Sequence, residues 1–379
     1  MIHTPLTTDD GTDQRRPRAR RRLARFLSIA TGLWTLFLIA HVLLTGRWWL
    51  WMLVEPIPPL LLLVVPVVLL SIVLVARPLS RWTTAALAGL TLLSLPLVGV
   101  NPGALADGTP PRPGAPVLKI FSWNTGYWDS GTGYLAEGGN VDGPDVFYDF
   151  LEQQNADVYL LSEHLYWNDG PIALDDEPTL RARFPGYQVN VEGELVTLSR
   201  MPIVGRFPRQ EGPEPESWYW HGNKAQRTDV RLGQCVFSLY NVHLPQPVDP
   251  RLNAFSSDFY NFAHGQYDRV QTELAALRAD LAGNPNPLLV AGDFNSPWMG
   301  SLVSLGDGVE HRDPTEGSVL PLSFPANDSG WGLPRLWRLD WVLTRGGVDI
   351  ARYAFLPNPG LSDHKAQHLT VSLPCGADR

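Results

Sequence analysis

Several apolar runs in this chain close on a residue able to do chemistry. Asn124 ends VLKIFSWN, Glu163 ends DVYLLSE and His243 falls near the end of CVFSLYNVHL. Asp293 and Asn295 close PLLVAGDFN, and Asp363 and His364 precede KAQHLTVSL. Strand ends on one edge of a sheet converge on a pocket. Carboxylate and amide oxygens are the ligands a hard divalent cation takes, and an imidazole can hold an oxyanion or move a proton. This inventory suits attack by water on a phosphate ester, whose negative charge must first be neutralised by a cation. No Gly-rich phosphate loop, HExxH pair or cysteine nucleophile offers a competing mechanism.

The elements that must position these residues are legible as patterns. Strands are expected at 117–124, 157–163, 194–200, 227–232, 235–244, 287–295, 338–344 and 365–373. A helix opened by Pro144 and running to about Gln154 would bury Val146, Phe147, Phe150 and Leu151. A second, Gln266–Leu281, places Val270, Leu274, Leu277 and Leu281 on one face. The aromatic-rich segments 217–226 and 253–265 read as loops. They could stack on bases, dip into lipid headgroups or pack on themselves.

Ahead of this α/β part lie three uncharged stretches, 26–45, 57–76 and 82–100. About 20 helical residues cross the hydrocarbon core of a bilayer, so three transmembrane helices are expected. A cleaved signal peptide would be shorter and would not be followed by two more apolar stretches. Seven arginines precede the first stretch, within a basic N-terminus 1–25, and Arg77 and Arg81 lie between the second and third. The excess of positive charge puts the N-terminus in the cytoplasm and, after three crossings, the rest outside the cell membrane. Pro- and Gly-rich residues 101–116 read as a linker to a domain at 117–374.

Charge divides the chain in the same place. Residues 1–100 hold ten of the 30 basic and four of the 38 acidic residues, leaving a net charge of −14 on residues 101–379. Such a domain lacks the basic surface that non-specific polyanion binding prefers. Cys235 and Cys375 form no CxxC pair, which rules out a structural zinc cluster, and they read as separate thiols.

The ordered series SWNTG (122–126), LLSE (160–163), LSRMPI (198–203), NVHL (241–244), GDFNSP (292–297), RLDWVL (338–343) and SDH (362–364) resembles the endonuclease/exonuclease/phosphatase superfamily. The resemblance implies a four-layer α/β sandwich, two packed β-sheets flanked by helices, with a Mg²⁺ or Mn²⁺ site. It implies that Glu163, Asn124 and Asp363 hold the metal and that Asp293 activates water, with Asn295 fixing it or the phosphate. His364 with its partner Asp340, and His243 on the far side, would complete the catalytic set. The sequence departs from the family pattern at Ser162 before Glu163 and at Lys365-Ala366 after SDH. The expected function is phosphoester hydrolysis outside the membrane, by a phosphodiesterase acting on nucleic acid, with a lipid-headgroup phosphodiesterase or phosphatase as the alternative. A non-catalytic tethered binding protein would have no need of the full set. The lipid bilayer and a phosphoester substrate are the expected partners, and nothing calls for an obligate protein partner.

Overall fold

The computed structural model describes residues 15–76, 81–105, 110–128, 145–167, 171–174, 176–208, 223–249, 251–297, 305–317, 319–326, 334–356 and 360–375. The chain divides into two compact units, Met1–Thr45 with Ile57–Val98, and Gly46–Pro56 with Gly99–Arg379.

The first unit holds the helices α1 (Arg15–Leu44), α3 (Leu60–Ala76) and α4 (Arg81–Val98); the short α2 (Trp49–Met52) belongs to the second. Ala19–Leu44 and Arg81–Val98 are long and apolar enough to cross a membrane. The second expected span is an apolar helix of 17 residues, at the lower end of spanning lengths. Two crossings are therefore carried by length, against the three expected. Apolar side chains point outward on these helices: Leu33 and Leu36 are each 63% exposed, Leu92 67% and Val75 86%. The hydroxyls of Thr31, Ser71, Thr91 and Ser94 each donate to the carbonyl one turn back, so these polar groups are satisfied within their own helix.

The second unit is built on two six-stranded sheets. The first contains β1 (Val117–Asn124), β2 (Val158–Ser162), β5 (Gln188–Glu192), β6 (Leu195–Ser199), β13 (Asp349–Leu356) and β14 (Ala366–Ser372), in the order β13-β14-β1-β2-β6-β5. The second contains β7 (Ile203–Arg206), β8 (Ala225–Leu232), β9 (Cys235–His243), β10 (Leu288–Asp293), β11 (Glu310–Arg312) and β12 (Asp340–Arg345), in the order β11-β12-β10-β9-β8-β7. A small hairpin pairs β3 (Leu165–Trp167) with β4 (Pro171–Ala173). Alternate residues of the two sheets meet in one core, Leu118, Ile120 and Leu160 with Phe237, Leu239, Leu289 and Val342. Outside the first sheet, α5 (Asp145–Gln154) and α6 (Glu177–Arg183) bury Phe147, Leu151 and Leu180 among Phe121, Tyr159 and Leu161. Outside the second, α7 (Ser257–Gly283) buries Val270, Leu274, Leu277 and Leu281 among Tyr240, Val290 and Leu343. Each fully buried leucine contributes roughly 1.5–3 kcal/mol. The expected order of helix, sheet, sheet and helix is what these contacts build.

Three expectations are corrected. Helix α7 starts at Ser257, so most of the segment 253–265 is helical; Ser256 caps it by accepting from the Phe259 N–H at 3.3 Å. β8 takes in Ala225 and Gln226 from the other aromatic segment, whose residues 217–222 lie outside the described ones. Within the linker stretch, Asn101 is buried and donates to the Pro314 carbonyl at 2.6 Å. Cys235 and Cys375 are joined in a disulfide with Cα atoms 5.7 Å apart, because the ends of β9 and β14 meet across the inter-sheet core. Their 140-residue separation hides this from a linear reading.

Candidate active site

The centre of each sheet is a parallel pair, β1 with β2 and β9 with β10. Parallel pairing brings carboxyl ends to one edge. In register, Asn124 lies beside Ser162, and Asp293 lies between His243 and Asp340. Glu163 follows directly after β2. It and Asn295 take left-handed backbone angles, φ 55° and 45°, uncommon for side-chain-bearing residues and concentrated at functional sites. Gly292 of the GDFN run has φ 142°, and a Cβ there would lie 2.0 Å from the Val242 carbonyl oxygen. Only glycine lets β10 approach β9 at that point.

The motif neighbours act as ties. Ser362 donates to the Asn124 carbonyl at 2.7 Å and accepts from the His364 N–H at 2.9 Å. The Trp123 indole donates to the His364 carbonyl at 3.1 Å. SWN and SDH, some 240 residues apart, thereby form one corner. Asn241 reaches across the core and donates to the carbonyls of Leu161 and Val196, at 2.7 and 3.2 Å.

All eight expected residues line or buttress one cavity of about 240 Å³. Six of them line it, Glu163, His243, Asp293, Asn295, Asp363 and His364. Asn124 stands behind, its amide donating to Glu163 at 3.2 Å and to Asp293 at 3.0 Å while its oxygen accepts from the Gly126 N–H at 3.0 Å. One lone pair of that oxygen is thus engaged. Asp340 accepts from or shares a proton with His364 Nδ1 at 2.9 Å, and His364 Nε2 lies 3.5 Å from Asp293. Asn295 donates its backbone N–H to Asp293 at 2.7 Å and its amide to the Leu244 carbonyl at 2.8 Å.

Two residues that the sequence reading missed complete the set. His243 Nδ1 meets Glu194 at 3.0 Å, and Lys224 Nζ donates to the other oxygen of Glu194; all three are buried. Glu194 sits in the turn between β5 and β6, where no local pattern marks it.

Electrostatics set the character of the cavity. Burial pushes Glu163 up to about 7, opposed by His243 and reinforced by Asp363 and Glu194. Burial also raises Asp293. Burial works against a charged ring at His364, yet Asp340 and Asp293 outweigh it and hold the imidazole well above its ordinary value. The same contest at His243, with Glu194 on the other side, also ends in an upward shift. Glu194 goes the other way: burial is overcome by His243 and Lys224, and its carboxyl falls to about 2. Five carboxylates, Glu163, Glu194, Asp293, Asp340 and Asp363, share this region with two imidazoles and Lys224. A bound cation would relieve that excess. Oxygen donors dominate the set, which fits a hard divalent ion. Asp293, Asp340 and His364 each bring a donor atom within 4.8 Å of the others.

With this geometry in hand, comparison with known proteins is decisive at the level of family. The sequence profile of the endonuclease/exonuclease/phosphatase family matches residues 133–364, more than half of the chain. The chain belongs to that family. Among solved structures, this family member is similar to a D. rerio TDP2 humanized by 14 mutations, at 15% identity and a TM-score of 0.47 over 68% of this chain and 99% of that one. It is similar to a mannosyl-6-phosphatase of Bacteroides thetaiotaomicron at 14% identity and 0.45, over 68% and 100%. It is also similar to a family protein of Beutenbergia cavernae at 17% identity and 0.44, over 69% and 72%. No curated protein matches the sequence.

Proposed function

We propose that the chain is a membrane-anchored, divalent-metal-dependent phosphoester hydrolase whose catalytic unit lies outside the cytoplasm. The observation that carries the chemistry is the convergence of Glu163, Asp293, His243 and His364, with Asp340 behind His364, on one acid-rich cavity. Glu163 and Asp363, with Asn124 beside them, would hold Mg²⁺ or Mn²⁺, which supplies neutralisation of the phosphate charge. Asp293, braced by Asn124 and by the Asn295 N–H, is placed to orient water and accept its proton. His364, kept cationic by Asp340, is suited to hold a non-bridging oxygen, and His243 faces the same space. A binding protein would gain nothing from three buried carboxylates, Glu194, Asp293 and Asp340, with half-buried Glu163 and Asp363 beside them, each burial being costly without a task.

Three observations support the membrane placement. Outward-facing apolar side chains on α1, α3 and α4 suit lipid. A disulfide suits an oxidising compartment. Residues 46–56, between α1 and α3, also pack in the same unit as 99–379. Both segments lying on one side suits α3 and α4 crossing as a pair. The three crossings read from the sequence are consistent with this. On substrate, the apolar residues around the cavity favour a compact ester group over the nucleic acid the sequence first suggested.

The full-length protein, assayed with Mg²⁺ on aryl phosphates, duplex DNA and phospholipid vesicles, tests the chemistry. Glu163→Ala and His364→Ala should each lose at least about 100-fold in kcat while melting as folded proteins, and EDTA should abolish turnover. Wild-type rates in both variants would remove the assignment. A C-terminal tag should be cleaved by external protease in intact cells, and protection would contradict the orientation.

A further inference from the structure

The cavity wall contains a segment that lies far from the hydrolytic motifs in sequence. Glu55 and Pro56 line it together with Glu163, His243, Asp293 and His364. They end the connector 46–56 that joins the first two apolar helices. The connector is a fixed structure. Glu55 accepts from the Gly46 N–H at 3.0 Å, closing the segment on itself. Gln271 of α7 donates to the Gly46 carbonyl at 3.3 Å, and Trp49 sets its ring edge-on to His264, with centroids 5.0 Å apart. The Trp337 indole donates to the Pro56 carbonyl at 3.0 Å.

From Pro56 the wall runs without a break to the catalytic histidine. Trp337 pairs through its backbone with Phe324, and the Phe324 ring lies 4.9 Å from the His364 ring. Leu244, Pro247 and Leu339 add further apolar surface around the same space. A volume near 240 Å³ bounded in this way holds a compact group. A nucleic-acid strand would have to lay its neighbouring phosphates along a unit of strongly negative charge.

We propose that the connector 46–56 is a substrate-selecting wall of the hydrolytic site, admitting phosphoesters whose ester group is compact and apolar and disfavouring polynucleotides. This rests on the hydrolase reading above. Pro56 is the residue that meets the ester group, and Trp337 is a positioning residue that holds Pro56 through its carbonyl. The shared chemistry, a phosphate beside an apolar group, is offered both by soluble aryl phosphoesters and by phospholipids at a surface.

The test uses the full-length protein with Mg²⁺ or Mn²⁺ on four probes: p-nitrophenyl phosphate, bis(p-nitrophenyl) phosphate, phosphatidylglycerol vesicles and duplex DNA. Wild type should turn over an aryl or vesicle substrate faster than DNA, and the better of the first two groups identifies the source. Pro56→Asp should raise KM for the preferred substrate about tenfold, with kcat within about threefold. Trp337→Phe should raise KM severalfold with the same split, and Pro56→Asp stands alone if that variant fails to fold. Preference for DNA, or an unchanged KM in Pro56→Asp, overturns the wall while leaving the hydrolase standing. No turnover of any probe by wild type, matching Glu163→Ala, overturns the hydrolase reading and the wall with it.

Discussion

Two histidine–carboxylate pairs face one another across the cavity, and they cross the sandwich in opposite senses. His364 precedes β14 of the first sheet and bonds Asp340 of the second. His243 ends β9 of the second sheet and bonds Glu194, which lies between two strands of the first. Each pair therefore also ties sheet to sheet. They differ in what stands behind the carboxylate and what faces the far ring nitrogen. Glu194 shares its charge with Lys224, and the far nitrogen of His243 lies 3.5 Å from Glu163 and 3.8 Å from Asp293, whereas that of His364 lies 3.5 Å from Asp293. Asp340 and Asp293 hold the His364 ring well above its ordinary value, and Glu194, whose charge Lys224 shares, raises His243. Two copies of one local device thus differ in their third neighbours, which tune the proton affinity of each ring.

The largest expected effect separates the pairs directly. His364→Ala should lower kcat by about 10³-fold and His243→Ala by about 10²-fold, in steady-state rates at saturating metal; equal losses would erase the asymmetry. A smaller effect probes the third neighbour. Lys224→Met leaves Glu194 to His243 alone, so the His243 pKa should rise and its limb of the kcat/KM profile should move up by about one pH unit. A profile that stays put would mean that Lys224 only fills space. The smallest effect concerns stability and extends the comparison to a third buried carboxyl. Glu55 is bonded to the Gly46 N–H, and burial pushes it up to about 7, the reverse of Glu194. The folded chain keeps the Glu55 proton up to that pH, while the unfolded chain releases it near 4.5. Stability is therefore lost as pH rises from 4.5 to 7, by on the order of 3 kcal/mol. Glu55→Gln should flatten melting temperature against pH over that window, and an unchanged slope would show that the carboxyl is not held neutral.

Much of the catalytic unit was legible along the chain because its cues are local. Apolar runs at 117–124, 287–293 and 366–372 are strands because their side chains are buried on both faces, and the leucine spacing in 270–281 marks the inner face of α7. The edge strands β7 and β13 escaped because their mixed polar and apolar residues, partly exposed, carry no such run. Helix α7 extends nine residues ahead of the predicted start and two beyond the predicted end: its first two turns, with the exposed Phe255 just ahead, bury little, and only the Ser256 cap and Asp258 mark the start.

The sequence alone determined which residue types close the central strands, that a hard cation and an imidazole chemistry suit them, and that an apolar helical region precedes an acidic α/β unit. Those are properties of short windows and of composition. Tertiary structure decided that Glu194 and Lys224 join His243, that Cys235 meets Cys375, and that Glu55 and Pro56 wall the cavity. Each of these joins segments between 30 and about 300 residues apart. Only the packing of two sheets and the fold-back of the connector onto α7 brings them within a few ångströms, and no local pattern encodes a distance of that kind.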